Sequence, residues 1–347
     1  MLAAALGDDL GREGRLHHFQ RQQQPANGQQ DGQRDGKLEP RSRLAPVDFY
    51  QWRPGLTPAA SPTVPAQDSF HSGAIAIAVT QTLIQSGRWQ EDQIKQVWAR
   101  LTASDRGYES ATAVELAIAT LPLMLFFHDD VNRQQRVLQQ TLSGWQCPVS
   151  AEPALLAVGY AIAQALTERL DPQTLIPQTI AYLKQGTVDP SSPLLDLVGR
   201  LEQVQTLVQQ KTGLHAAIEQ LRTGLVTPGY GGIALAFYCF LTTPDQLHLA
   251  MVRVARSGYA APATCALTGA ISGAYSTLNG LPLSWQLAMH PDPDSMVPLR
   301  WGLSGAAIAQ LTDHLFTVWA GGYDTAALTA TMPAIAAPGI IRPRSRD

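Results

Sequence analysis

Ser257-Gly-Tyr-Ala-Ala-Pro-Ala-Thr-Cys-Ala-Leu-Thr-Gly-Ala-Ile-Ser-Gly-Ala-Tyr-Ser-Thr-Leu-Asn-Gly-Leu-Pro282 is the stretch whose reading decides the fold. Gly269 and Gly273 stand one helical turn apart, with Ser272 and Ser276 beside them. On a helix these make a face of small residues against which another helix can pack closely. Trp285, just after Leu281-Pro282, reads as a core anchor. The stretch is also empty of charge, with no carboxylate between Asp245 and Asp292.

Outward from this helix the pattern stays helical. Ala74 to Ile84 predicts a buried helix ending at Gly87, and Ile94, Val97, Trp98 and Leu101 recur at helical spacing. Ala111 to Phe127 is apolar nearly all round, and Pro122 within it predicts a kink or a split. Further helices are expected over 133–142, 153–170, 172–184, 193–222, 232–241 and 244–255, with weaker signals over 303–315 and 325–332. No two alternating β-branched runs are joined by an Asn-Gly or Asp-Gly turn, and no repeat recurs. The fold class is all-α.

Residues 12–68 break the pattern with Gln20-Arg-Gln-Gln-Gln24 followed by Pro54, Pro58, Pro62 and Pro65. Such a composition buries too little apolar surface to offset chain entropy, so a disordered Gln/Pro-rich linker is expected, with Val47-Asp-Phe-Tyr-Gln-Trp52 as its best candidate for a local contact. The organisation that follows is a short, truncated first helix over 1–11, the linker over 12–68, one domain over 69–330 and a flexible tail over 331–347.

Charged residues make up 15% of the 347, the net charge is −3, and the lysines are Lys37, Lys95, Lys184 and Lys211. No basic patch interleaved with aromatics exists, which argues against a nucleic-acid partner. Cys147, Cys239 and Cys265 are widely spaced, without zinc-ligand spacing, and suit a reducing compartment. Without a secretory leader or a run of about 18 apolar residues, the chain reads as cytoplasmic, with no membrane association.

Four motifs carry a resemblance. Ala3-Ala-Ala-Leu-Gly-Asp-Asp-Leu-Gly11 is similar to the Gly-x-x-x-Gly-Asp-Ala-Leu-Gly opening of the ADP-ribosylglycohydrolase family. Phe70-His-Ser-Gly73 stands where the family has Asp-Asp-Thr before a long helix. Ser110 to Leu123 keeps a Pro-Leu pair but has Ala119 at an arginine position. Ser257 to Pro282 resembles Gly-Gly-Asp-x-Asp-Thr plus its small-residue helix, with Ala261 and Ala263 at the aspartate positions and Thr264 retained.

The resemblance implies an orthogonal multi-helix bundle in one domain, a cleft for ADP-ribose, and two magnesium ions held between aspartate-bearing loops. It also implies that this chain is a degenerate member. Hard cations require several oxygen ligands, and His71, Ser72, Gly73, Ala261 and Ala263 supply no carboxylate. No metal ligands are assigned and no cofactor is expected. The cleft positions are His71, Ser72, Gly73, Ala261, Ala263 and Thr264. Asp8, Asp9 and Asp68 are the remaining candidates for chemistry, although Asp8 and Asp9 also read as charges at a helix N-terminus. As neighbours on one helix they point apart, so at most one can face a cleft. The functional expectation is a non-catalytic protein that binds ADP-ribose or a nucleotide-like ligand, or serves as a scaffold for a protein partner. The alternative is an active ADP-ribosyl hydrolase with a rebuilt site.

Overall fold

The small-residue helix is real, and its partner is the first helix of the chain. A Cβ on Gly269 would lie 2.2 Å from the carbonyl oxygen of Ala3, and one on Gly273 would lie 2.7 Å from the Ala3 Cβ. From the other side, a Cβ on Gly7 would lie 2.3 Å from the carbonyl oxygen of Cys265. The two backbones touch because none of these three positions carries a side chain.

The structure, a computed structural model, describes residues 1–23, 71–103, 111–185, 193–224, 226–259, 261–277, 280–288, 299–324 and 329–330. The helices run α1 Leu2–Gln23, α2 Ser72–Ser86, α3 Glu91–Thr102, α4 Ala113–Ala119, α5 Leu121–Phe126, α6 Val131–Gly144, α7 Glu152–Leu166 and α8 Leu175–Leu183. They continue with α9 Pro193–Gln209, α10 Leu214–Arg222, α11 Tyr230–Thr242, α12 Leu247–Ser257, α13 Ala261–Ser276, α14 Leu283–Ala288 and α15 Gly305–Trp319. α13 packs on α1, α12, α11, α7 and α4, and α7 forms a second hub against α4, α5, α6 and α8. The all-α class stands.

Local chemistry explains the joints. α2 ends at Gly87, whose φ of +66° turns its N–H onto the Leu83 carbonyl, as expected. The apolar run 111–127 divides at Thr120, and Pro122 takes the second position of α5, where a missing N–H costs no intrahelical bond. Asp130 and Ser304 cap α6 and α15 through their side chains. Trp98 and Trp145 stack at 4.5 Å, and Trp145 Nε1 donates to the Ile94 carbonyl, joining α3 to the end of α6.

Three expectations change. α1 does not stop at residue 11 but continues to Gln23, so the helix extends into the stretch expected to be a linker. The helix expected over 325–332 is replaced, where described, by Thr329–Ala330 pairing antiparallel with Tyr323–Asp324. An apolar stretch of membrane-spanning length does exist, Val149–Leu166, but 61% of it is buried as the short turn before α7 and α7 itself. It is a core helix of the bundle. The Val47–Trp52 patch and the tail from Pro333 lie outside the described residues.

Candidate functional site

Four helices begin at one cavity of about 410 Å³. His71, Ser72 and Gly73 bring the start of α2, Thr112 and Glu115 that of α4, Gly229 and Gly232 that of α11, and Pro262 and Ala263 that of α13. Asp8 reaches it from α1, and Arg300 and Trp301 from a tight turn ahead of α15. Helix N-termini carry unpaired N–H groups and a partial positive charge, so the wall is rich in donors.

Each helix start has a sequence cause. Thr112 and Glu115 form a capping box: the Thr112 side chain accepts from Glu115 N–H, while Glu115 Oε2 accepts from Thr112 N–H at 2.9 Å and from its hydroxyl at 2.8 Å. Gly229 enters α11 with φ +92°, and a Cβ there would lie 2.8 Å from Ala113 N, so only glycine fits this crossing of α11 and α4. The Gly229-Tyr-Gly-Gly232 run is thus a helix-entry turn, with α11 opening at Tyr230. His71 takes the N-cap position of α2, exposed, without capping through its side chain.

Arg300 organises Asp8 and Asp9 of α1. Its Nη1 lies 3.1 Å from Asp8 Oδ1, and its backbone N–H donates to Asp9 Oδ1 at 3.0 Å. Burial pushes the Asp8 carboxyl above the ordinary range, against the pull of Arg300. Asp9 is pushed up to about 6, by burial first, with the Asp8 charge adding and Arg300 opposing. Both aspartates sit well inside a 22-residue helix, so they are not N-terminal charges. Asp8 faces the cavity and Asp9 does not line it, as expected for neighbours on one helix.

Trp301 is 3% exposed and lies across the start of α2. A Cβ on Gly73 would fall 2.3 Å from its Cδ1 and 2.5 Å from its Nε1. Thr264 is fully buried behind Gly232, its Oγ1 2.9 Å from where a Gly232 Cβ would be, and that hydroxyl has no hydrogen-bond partner. Ala261 is the first residue of α13. Asp68 lies outside the described residues.

The cleft therefore gathers His71, Ser72, Gly73, Ala263 and Asp8, with Thr264 just behind. Sequence reasoning missed Glu115, Tyr259, Arg300 and Trp301. The Thr-x-x-Glu capping signal before an apolar run could have found Glu115. Tyr259, half-buried on the cavity wall, has the Arg222 guanidinium 5.6 Å from its ring centre. Arg300 and Trp301 stand in a turn, held by Leu299 N–H to Leu303 O at 2.9 Å, where no periodicity marks a contact. Among the described residues, no three His, Cys, Asp or Glu side chains come together so as to hold a metal ion.

A comparison with curated proteins gives no match. With the cleft at the meeting of α1, α2, α4, α11 and α13, and with residues 1–325 matching the profile described as ADP-ribosylglycohydrolase, the chain belongs to the ADP-ribosylglycohydrolase family.

Proposed function

We propose that this protein is a catalytically degenerate family member that binds ADP-ribose, or a nucleotide-like ligand, in the cleft without metal. The observation that carries the reading is the Asp8–Arg300 pair: among the described residues, the carboxylate that α1 offers to the cavity is already matched by a fixed cation. Glu115, the other acid in the wall, is occupied with capping α4. The donor set does not fit a pair of magnesium ions, which need several unengaged oxygens in near-octahedral array. What remains suits a polar ligand: N–H groups at helix starts, Ser72, the half-buried Tyr259 ring and a volume of about 410 Å³, within the range of small-molecule pockets.

Calorimetric titration with ADP-ribose, in Mg²⁺ and again in chelator, tests the proposal. We expect the same dissociation constant in both and no turnover. Chelator-sensitive hydrolysis lost in Asp8→Ala would establish the hydrolase reading instead. No binding in either condition would leave the scaffold role, to be tested by the protein's own complexes. The same proposal places the chain in a reducing compartment, supported by Cys147, Cys239 and Cys265 all being free thiols.

A further inference from the structure

We infer that Arg300 and Trp301 are a built-in substitute for the divalent cation, closing the cleft to metal by side chains that are present as well as by acids that are absent. The inference rests on the family fold and not on the proposed ligand, so either can fail alone.

The guanidinium comes first. One residue answers both Asp8 and Asp9, its Nη1 meeting Asp8 at 3.1 Å and its backbone N–H meeting Asp9 at 3.0 Å. The turn that carries it is fixed by Leu299 N–H to Leu303 O and by Gly302 N–H to Leu299 O at 2.8 Å, with Gly302 at φ +84°. The Asp8 and Arg300 side chains keep 14% and 28% exposure, so the pair is only partly screened. A guanidinium is charged at every working pH and cannot be chelated away. A divalent ion drawn toward Asp8 would meet like charge at short range, in surroundings where solvent screens weakly.

The indole supplies the second half. With Cδ1, Cγ and Nε1 of Trp301 all within 2.5 Å of a Cβ position at Gly73, no side chain fits at residue 73 while Trp301 stays. The start of α2 is thereby barred from offering a ligand at that position. Returning acids to α13 alone does not rebuild the site.

The test uses the full-length chain and Mn²⁺ as probe, followed by calorimetry, with each variant first shown to melt cooperatively. The variants are Ala261→Asp/Ala263→Asp, the same pair with Arg300→Gln, the same pair with Arg300→Lys, and the pair with Arg300→Gln, Trp301→Val and Gly73→Asp. We expect no binding below about 1 mM, the weak end of protein sites for hard cations, in the wild type, the acid pair and the Arg300→Lys form. Arg300→Gln should tighten Mn²⁺ binding by about tenfold or more through loss of the like charge, and Trp301→Val with Gly73→Asp should tighten it further. If the Trp301→Val form does not fold, the comparison of the Arg300→Gln and Arg300→Lys forms decides the guanidinium half. Equal affinity in the acid pair with Arg300 kept and with Arg300→Gln overturns the inference, as does no Mn²⁺ binding in the Arg300→Gln form.

Discussion

Asp9 shows how one residue's surroundings turn into a pH dependence. Its carboxyl is raised from the ordinary 3.8 to about 6, chiefly by burial, so between those values the folded chain holds more proton than the unfolded one. The stability tied to this group is full below about 4 and is lost as pH rises through about 6. Asp9→Asn keeps an oxygen for the Arg300 N–H and removes the ionisation. Relative to wild type it should gain stability from pH 4 to pH 7, on the order of 1 kcal/mol after allowance for solvent. Denaturant melts of both chains at the two pH values measure this, and a difference that does not change with pH refutes it. At this scale the sequence was only half legible. The absence of acids at residues 71, 72, 261 and 263 could be read by position, but Arg300 could not, because its contact with Asp8 crosses 292 residues of chain and depends on a turn without periodic signal.

At the scale of elements, α4 and α13 are the informative pair. The Thr112–Glu115 box satisfies donors at the start of α4 that would otherwise face the cavity unpaired. Thr112→Ala should cost about 1 kcal/mol, as N-cap losses do, and should also weaken any cleft ligand, since Glu115 keeps only the backbone N–H of residue 112 and is held less firmly in the wall. A thermal melt with a parallel titration separates the two effects. Gly269→Ala places a methyl 2.2 Å from the Ala3 carbonyl, a backbone atom that cannot step aside. We expect a loss of about 2–3 kcal/mol or more, at the upper end of overpacking changes, read as a lowered denaturant midpoint. The glycine spacing made this face legible in α13. Its complement in α1 was harder to read, because Ala3, Gly7 and Gly11, though one turn apart, do not say which distant helix they meet. The split at Pro122 was legible since proline acts locally. The short strand pair at 323–324 and 329–330 was not, since two-residue strands carry no pattern.

For the whole molecule, α1 is a structural member of the core rather than a prelude to it. Ala4, Ala5, Leu6 and Leu10 are fully buried, and α1 packs on α12, α13 and α15. Removing residues 1–11 should therefore abolish cooperative unfolding and not simply delete the Asp8 contact. Circular dichroism on heating tests this, and a truncated chain that still melts sharply would contradict it. The all-α class and the helix order could be read from period and punctuation. The burial of α1 could not, since so short an apolar run completes too few turns to show a period.

The pairing of α1 with α13, and of Asp8 with Arg300, sets a timetable for synthesis. At roughly 5–20 residues per second, a ribosome needs about 15–60 s to reach Arg300 after Asp8 has emerged. For most of that interval, until α12 and α13 are made, the apolar side of the first helix lacks its partners, and the close-fitting surface made by Gly7 stays open. Folding of this bundle thus waits on a late segment to retain an early one, a step of high contact order.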